Sequence, residues 1–290
     1  MPTQADVEMV YTNITALTDP LKGKMAPKVV NDDFKLSKYE PAVARTMKTK
    51  AGTGRGDMAK TSKVYSVSWG GDSDHICTCT QSGHLMVYKA TEGAMDKLPV
   101  KAPKVMQCAM SKKTGGTDMM VAGGGMDNKV TVYKYELEDG KKAQKKRDLY
   151  KEGVAHDGYI SQIHFVDDDT KVLTGSGDGL AVLWDITSGD IVTAWKGHDG
   201  DVTGVATCDD PNIFGTSSTD KTCRMWDKRM PYAYRAFTAK YAVNCCDLMP
   251  EGKGIVGGCD NASWEYFDVG CNMQVRAHMR CHWLRSRTHQ

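Results

Sequence analysis

The chain of 290 residues is short of several things, and each shortage removes a class of protein. No apolar stretch approaches the ~20 residues that a membrane-crossing helix needs. The opening MPTQADVEMVYTN has neither a basic start nor an apolar core, so it does not read as a secretory leader. Net charge is only +2, too little for an electrostatic argument in favour of nucleic acid. None of the 10 cysteines forms spaced CxxC pairs; Cys77 and Cys79 alternate and Cys245 and Cys246 adjoin, which suits neither a disulfide framework nor a zinc knuckle. Reduced thiols in a cytoplasmic setting are the expected state. Proline is scarce at 9 and glycine plentiful at 29, a balance that favours many tight turns between short strands.

A repeat is present. AHDGYISQIHFVDDDTKVLTGSGDGLAVLWDITSG from Ala155 aligns with GHDGDVTGVATCDDPNIFGTSSTDKTCRMWDKRMP from Gly197. His156 and His198 each stand 22 residues before an aspartate, Asp178 or Asp220, and each aspartate stands 6 before a tryptophan, Trp184 or Trp226. The period, His156 to His198, is 42 residues, inside the ~40–45 of a WD-repeat blade. Weaker copies put Ser82 before Tyr88, Asp127 before Tyr133 and Asn261 before Phe267 at the same spacing. Between the turns VYSVSW, KVTVY and AVLW alternate with period two, so the elements are strands. The expected fold is all-β: a WD-repeat β-propeller with five recognisable repeats, read as an incomplete seven-bladed one. Residues 1–44, with Pro20, Pro27 and Pro41, read as an extended or partly disordered leader, 45–269 as the propeller domain and 270–290 as an off-pattern tail.

The recurring residues suggest a buried polar chain: indole N–H to hydroxyl, hydroxyl to imidazole, imidazole to carboxylate, which lets polar groups be buried and fixes the angle between strands. The two expected tetrads are His156, Thr174, Asp178, Trp184 and His198, Thr216, Asp220, Trp226. His, Thr and Asp together also invite a catalytic reading. A set that recurs once per structural unit with a Trp attached argues for structure instead, and the expectation is no enzyme, no metal and no cofactor. Cys271, His278, Cys281 and His282 fit no standard zinc spacing. GTGRG and GGG lack the strand–helix setting of a phosphate loop. The run GKKAQKKR at 140–147 reads as a solvated outer turn of the second blade, and RGD at 55–57 as a degraded Gly-His corner.

The resemblance goes past generic repeats. VDDD, LWDITSG and KGHDGDV within Gly158–Val202, KVYSVSWGGDS from Lys63, KVMQCAMS from Lys104 and RTMKTKAGTGRG from Arg45 resemble the β subunits of heterotrimeric G proteins, over about Arg45 to Val269. That resemblance implies a signalling scaffold whose narrow propeller face binds the switch regions of a G protein α subunit, coupling to membrane receptors. The positions matching the family's contact loops are Lys63, Tyr65, Met106, Met126, Asn128, Tyr159, Asp201, Asn244 and Asp260. Membrane contact would come only peripherally, through partners. Two departures stand out: Lys104 replaces an aromatic, and Pro20 interrupts any heptad run, which counts against a γ subunit as partner. The rival reading is a general cytosolic WD adaptor of the kinase- or ribosome-associated kind.

Overall fold

The computed structural model describes residues 63–278 except 73, 82, 90–94, 101–103, 113–117, 139–140, 150–155 and 271–273. By compactness the chain divides at Lys48/Thr49. Ser82, the RGD segment, the leader, Cys271, Cys281 and His282 lie outside the described residues.

Among the described residues twenty strands form five antiparallel sheets of four. The first holds β1 (Val64–Trp69), β2 (His75–Thr80), β3 (His84–Lys89) and β4 (Met95–Pro99); the second β5 (Val105–Met110), β6 (Asp118–Gly125), β7 (Val130–Glu138) and β8 (Lys141–Leu149). The third holds β9 (Ile160–Val166), β10 (Lys171–Ser176), β11 (Leu180–Asp185) and β12 (Ile191–Lys196); the fourth β13 (Val202–Thr207), β14 (Ile213–Ser218), β15 (Thr222–Asp227) and β16 (Ala233–Thr238). The fifth holds β17 (Val243–Leu248), β18 (Gly254–Cys259), β19 (Ser263–Asp268) and β20 (Gln274–His278). Each sheet runs in chain order, so each is one blade of a WD-repeat propeller fold.

A single four-stranded sheet cannot bury both faces; stacking solves this. Four apolar clusters lie at the four junctions between consecutive blades. Leu85, Leu98 and Cys77 meet Val105 and Met110 at the first junction, Ala122 and Val132 meet Ile160 and Ile163 at the second. Leu183 and Trp195 meet Val202 and Val205 at the third, and Cys223 and Met225 meet Val243 and Leu248 at the fourth.

Period two fails at the entry of every blade, and in blades three and four also between the third and fourth strands. Each innermost strand carries a register shift at its second residue: Tyr65, Met106, Ser161, Thr203 and Asn244 are skipped by the ladder. The bulge turns the strand by one residue, so its first and fourth positions share a face.

Two outer strands depart from the sequence expectation. The basic run falls mostly in β8 rather than in a turn, and the last blade continues past 269 into β20, which pairs with β19 from Ser263↔His278 to Phe267↔Gln274. An outermost strand is bonded along one edge only and needs no signature residues; lysine there is a common guard on a sheet edge.

Candidate functional site

The turn between the second and third strands of a blade is built by its aspartate. In blades three and four the Asp side chain accepts the backbone N–H two residues on, Leu180 to Asp178 at 2.9 Å and Thr222 to Asp220 at 2.8 Å. This Asx turn forces the next residue into the left-handed region: Gly179 at φ 81°, but Lys221 at 67° and, in blade five, Ala262 at 60°.

The other carboxylate oxygen reaches the histidine. His156 Nδ1 lies 2.8 Å from Asp178 Oδ2, and His156 Nε2 lies 2.8 Å from Thr174 Oγ1, which also accepts Trp184 Nε1–H at 3.0 Å. Blade four repeats this with His198, Asp220, Thr216 and Trp226 at 2.8, 2.7 and 2.8 Å. Asp is the acceptor, so Nδ1 carries the proton and Nε2 accepts from the threonine hydroxyl. The imidazoles of His156 and His198 are 0% and 1% exposed, and both ring nitrogens of each are engaged, so neither is left for a substrate. Sequence reading missed Thr222, whose hydroxyl donates to Asp220 Oδ1 at 2.6 Å, and the buried Glu265 of blade five, which accepts the Lys240 N–H and the Gln274 amide. Blade five has no His–Asp–Trp set, and nothing in the local pattern of SWEYFD marks Glu265 as interior.

Burial holds His198 below its usual 6.5, with Asp220 only partly opposing it. Burial also pushes the Asp220 carboxyl up, but the hydrogen bonds from Thr222 and His198 outweigh this and hold it at about 2 instead of 3.8. Held below 6.5, His198 is mostly neutral at pH 7; the hydrogen bonds from Thr222 and His198, joined by the charge of His198 when it is protonated, hold Asp220 down. Both groups resist protons in the folded state that the unfolded chain accepts. His198 contributes stability that is present above pH 6.5 and lost as pH falls through its depressed value; Asp220 contributes stability lost between 3.8 and about 2. The urea midpoint should thus fall monotonically from pH 7 to pH 3, and Asp220→Asn should flatten the limb below pH 4. A midpoint that rises on acidification contradicts this sign.

The second constellation lies at one edge. In a sheet of order one-two-three-four, the start of the first strand and the turn between the second and third share an edge. Lys63, Tyr65, Met106, Tyr159, Asp201 and Asn244 occupy strand entries; Met126, Asn128 and Asp260 occupy turns. Tyr65, Met106 and Asn244 are the bulged positions. Tyr65 and Met126 are among the exposed large hydrophobics, and Lys63, Asn244 and Asp260 are also exposed. Met106, Asn128, Tyr159 and Asp201 are half-buried. The structure joins two pairs of these residues. Tyr159 Oη–H donates to Asp201 Oδ2 at 3.1 Å, across the junction of blades three and four, and Asn244 Nδ2 donates to Asp260 Oδ1 at 3.4 Å within blade five. The Tyr159 ring lies against Gly177, where an added Cβ would come within 2.5 Å of it. A basic pair completes the opposite edge: Asp167 takes Lys171 at 2.9 Å and Lys228 at 2.6 Å, tying blade three to blade four. Among the described residues no group of His, Cys, Asp and Glu is arranged to hold a metal ion, and no helix is long and apolar enough to cross a membrane.

Five four-stranded sheets, two of them holding this buried device, match the WD-repeat propeller fold. The family model described as "WD domain, G-beta repeat" matches residues 53–89, 148–185 and 189–227. The chain is similar to the curated guanine nucleotide-binding protein subunit beta of Saccharomyces cerevisiae, 30% identical over 221 residues, 73% of this chain and 50% of the relative. It is likewise similar to those of Nicotiana tabacum and Solanum tuberosum, each 31% identical, covering 77% of this chain and 60% of the relative. The chain therefore spans about half to three fifths of the length of these relatives.

Proposed function

We propose that the chain is a non-catalytic signalling scaffold that holds a G protein α subunit on the edge formed by strand entries and turns, in receptor-coupled signal transduction. The observation that carries this is the edge itself: Tyr65 and Met126 exposed, Met106 between them in the chain, and Tyr159 pinned by Asp201, on consecutive blades of a chain similar to the guanine nucleotide-binding β subunits. Preset aromatic and methionine side chains ringed by charge are the usual anchors of a protein interface. The protein would work in the cytoplasm and reach the inner face of the plasma membrane through its partners; a γ subunit is not part of the reading, and neither is nucleic acid. A GDP-loaded α subunit immobilised on beads should capture the chain. Tyr159→Ala combined with Met106→Ala should reduce that capture at least about tenfold, since losing a central anchor commonly costs ~2 kcal/mol. Unchanged capture by a double variant that melts normally removes these residues from the interface.

One observation favours the rival reading of a general WD adaptor. The exposed Lys104 occupies the position where the resembled family presents an aromatic, at the entry to β5. Lys104→Trp should then strengthen capture of the α subunit if the proposed edge is right and leave it unchanged if the edge serves other proteins.

A further inference from the structure

Blade five is entered differently from blade four. Between β12 and β13 the connection 197–201 turns its histidine inward, onto Asp220 and Thr216. The connection 239–242 between β16 and β17 is one residue shorter. Counted from the end of the preceding strand, Lys240 stands where blade four has His198. A buried carboxylate holds this corner instead: Glu265 accepts the Lys240 backbone N–H at 3.2 Å. Two further bonds tie its ends. Ala239 N–H donates to the Lys221 carbonyl at 2.7 Å, and Asp260 N–H donates to the Ala242 carbonyl at 2.9 Å.

The backbone of the corner is thus fixed while its two central side chains stand outside. Lys240 and Tyr241 are exposed, and Lys240 Nζ lies over the Tyr241 ring, 5.3 Å from its centre. That is within the ~6 Å over which a cation is drawn to an aromatic face. A connection from the fourth strand of one blade to the first strand of the next lies on the edge of strand entries and turns, here beside Asn244 and Asp260. Neither Lys240 nor Tyr241 is among the positions that the family resemblance supplies. The charge at this corner is one-sided. Lys221 is exposed as well, and among the described residues neither its ammonium nor that of Lys240 forms an ion pair with a carboxylate. The carboxylates of the adjoining turns are engaged, Asp220 by His198 and Thr222, Asp260 by Asn244.

We propose that Lys240 and Tyr241 form a further anchor on the docking edge, where the bound protein places an acidic side chain on the ammonium and an apolar one beside it on the ring. The inference rests on the reading of this edge as an α-subunit site and specifies the partner's chemistry at blade five. A ring already held by a cation on a fixed backbone loses little freedom on binding, which is what an interface anchor requires. The unpaired lysines supply the complementary charge and speed the encounter with an acidic surface.

Capture of the full chain by a GDP-loaded α subunit on beads, titrated at low and high salt, tests this. Tyr241→Ala should weaken capture about tenfold or more, whereas Tyr241→Phe, which keeps the ring, should bind as the unaltered chain does. Lys240→Glu should weaken it too and should flatten its dependence on salt, because an attractive charge has been reversed. Tyr232→Ala is the control: that tyrosine is 59% exposed in the turn between β15 and β16, on the opposite edge, and its loss should change nothing. Variants are compared only where they melt as the unaltered chain does; should Tyr241→Ala not, Lys240→Glu and its salt dependence decide. No capture of the unaltered chain overturns the functional reading and this anchor with it. Capture that responds to the Tyr159→Ala and Met106→Ala pair but not to Tyr241→Ala or Lys240→Glu overturns the anchor alone.

Discussion

Replacing Trp226 with alanine should lower the unfolding free energy by about 4 kcal/mol, the usual cost of emptying a fully buried indole site. The indole is 1% exposed, stacks on Phe214 at 6.1 Å and 9°, and lies edge-on to His198 at 6.4 Å. Its Nε1–H also supplies one of the partners of Thr216 Oγ1. Loss of the side chain therefore opens a cavity at the junction with blade three and strips a donor from a buried hydroxyl. Trp226→Phe separates these effects. It keeps most of the volume and the stack but deletes the N–H, and should cost about 1 kcal/mol for the hydrogen bond plus a smaller packing loss. Blade five carries a phenylalanine at this position naturally, Phe267, stacked on Phe237 of blade four's outer strand at 5.0 Å. Urea midpoints for the two variants decide the matter. If phenylalanine costs as much as alanine, the polar chain outweighs the packing and the expected order of the two variants fails.

Gly125→Ala should cost about 3 kcal/mol, at the upper end for overpacking, because the obstruction is main chain. A Cβ on Gly125 would sit 1.9 Å from the Lys104 carbonyl oxygen, with Lys104 C at 2.9 Å and Met106 N at 3.0 Å. That carbonyl already accepts the Met126 N–H at 3.1 Å, so it cannot withdraw without breaking the bond that ties the turn to the entry of β5. Gly123→Ala is the control. Its Cβ would first meet Leu85 side-chain atoms, at 2.8 Å, and a leucine can change rotamer; about 1 kcal/mol is expected. Equal urea midpoints for the two variants would show that the main chain at Lys104 yields more readily than its bonding implies. Gly125 also lies between Met106 and Met126, so its substitution should weaken α-subunit capture per folded molecule, whereas Gly123→Ala should not.

What the sequence alone determined was the local chemistry. An aspartate that builds a turn, a histidine 22 residues before it and a tryptophan 6 after it are set by strand and turn lengths, so His156, Asp178, Trp184 and their blade-four counterparts could be read off before any fold was known. The blade number among the visible repeats followed from the same spacing. The tertiary structure alone decided what depends on neighbours in space. The bulge at Tyr65, Met106 and Asn244 cannot be seen in a period-two pattern, because alternation is counted along one strand and a bulge is a relation between two. The strands β8 and β20 lacked a signal because backbone hydrogen bonds, available to nearly any residue, are all that holds an outer strand. Glu265 became interior only through the Lys240 backbone and the Gln274 amide folding over it. Tyr159 and Asp201 lie 42 residues apart, one whole repeat, and meet only because consecutive blades stack in register. Spacing within a repeat is covalent and therefore legible; contact between repeats is a matter of packing, and packing is settled by the assembled faces.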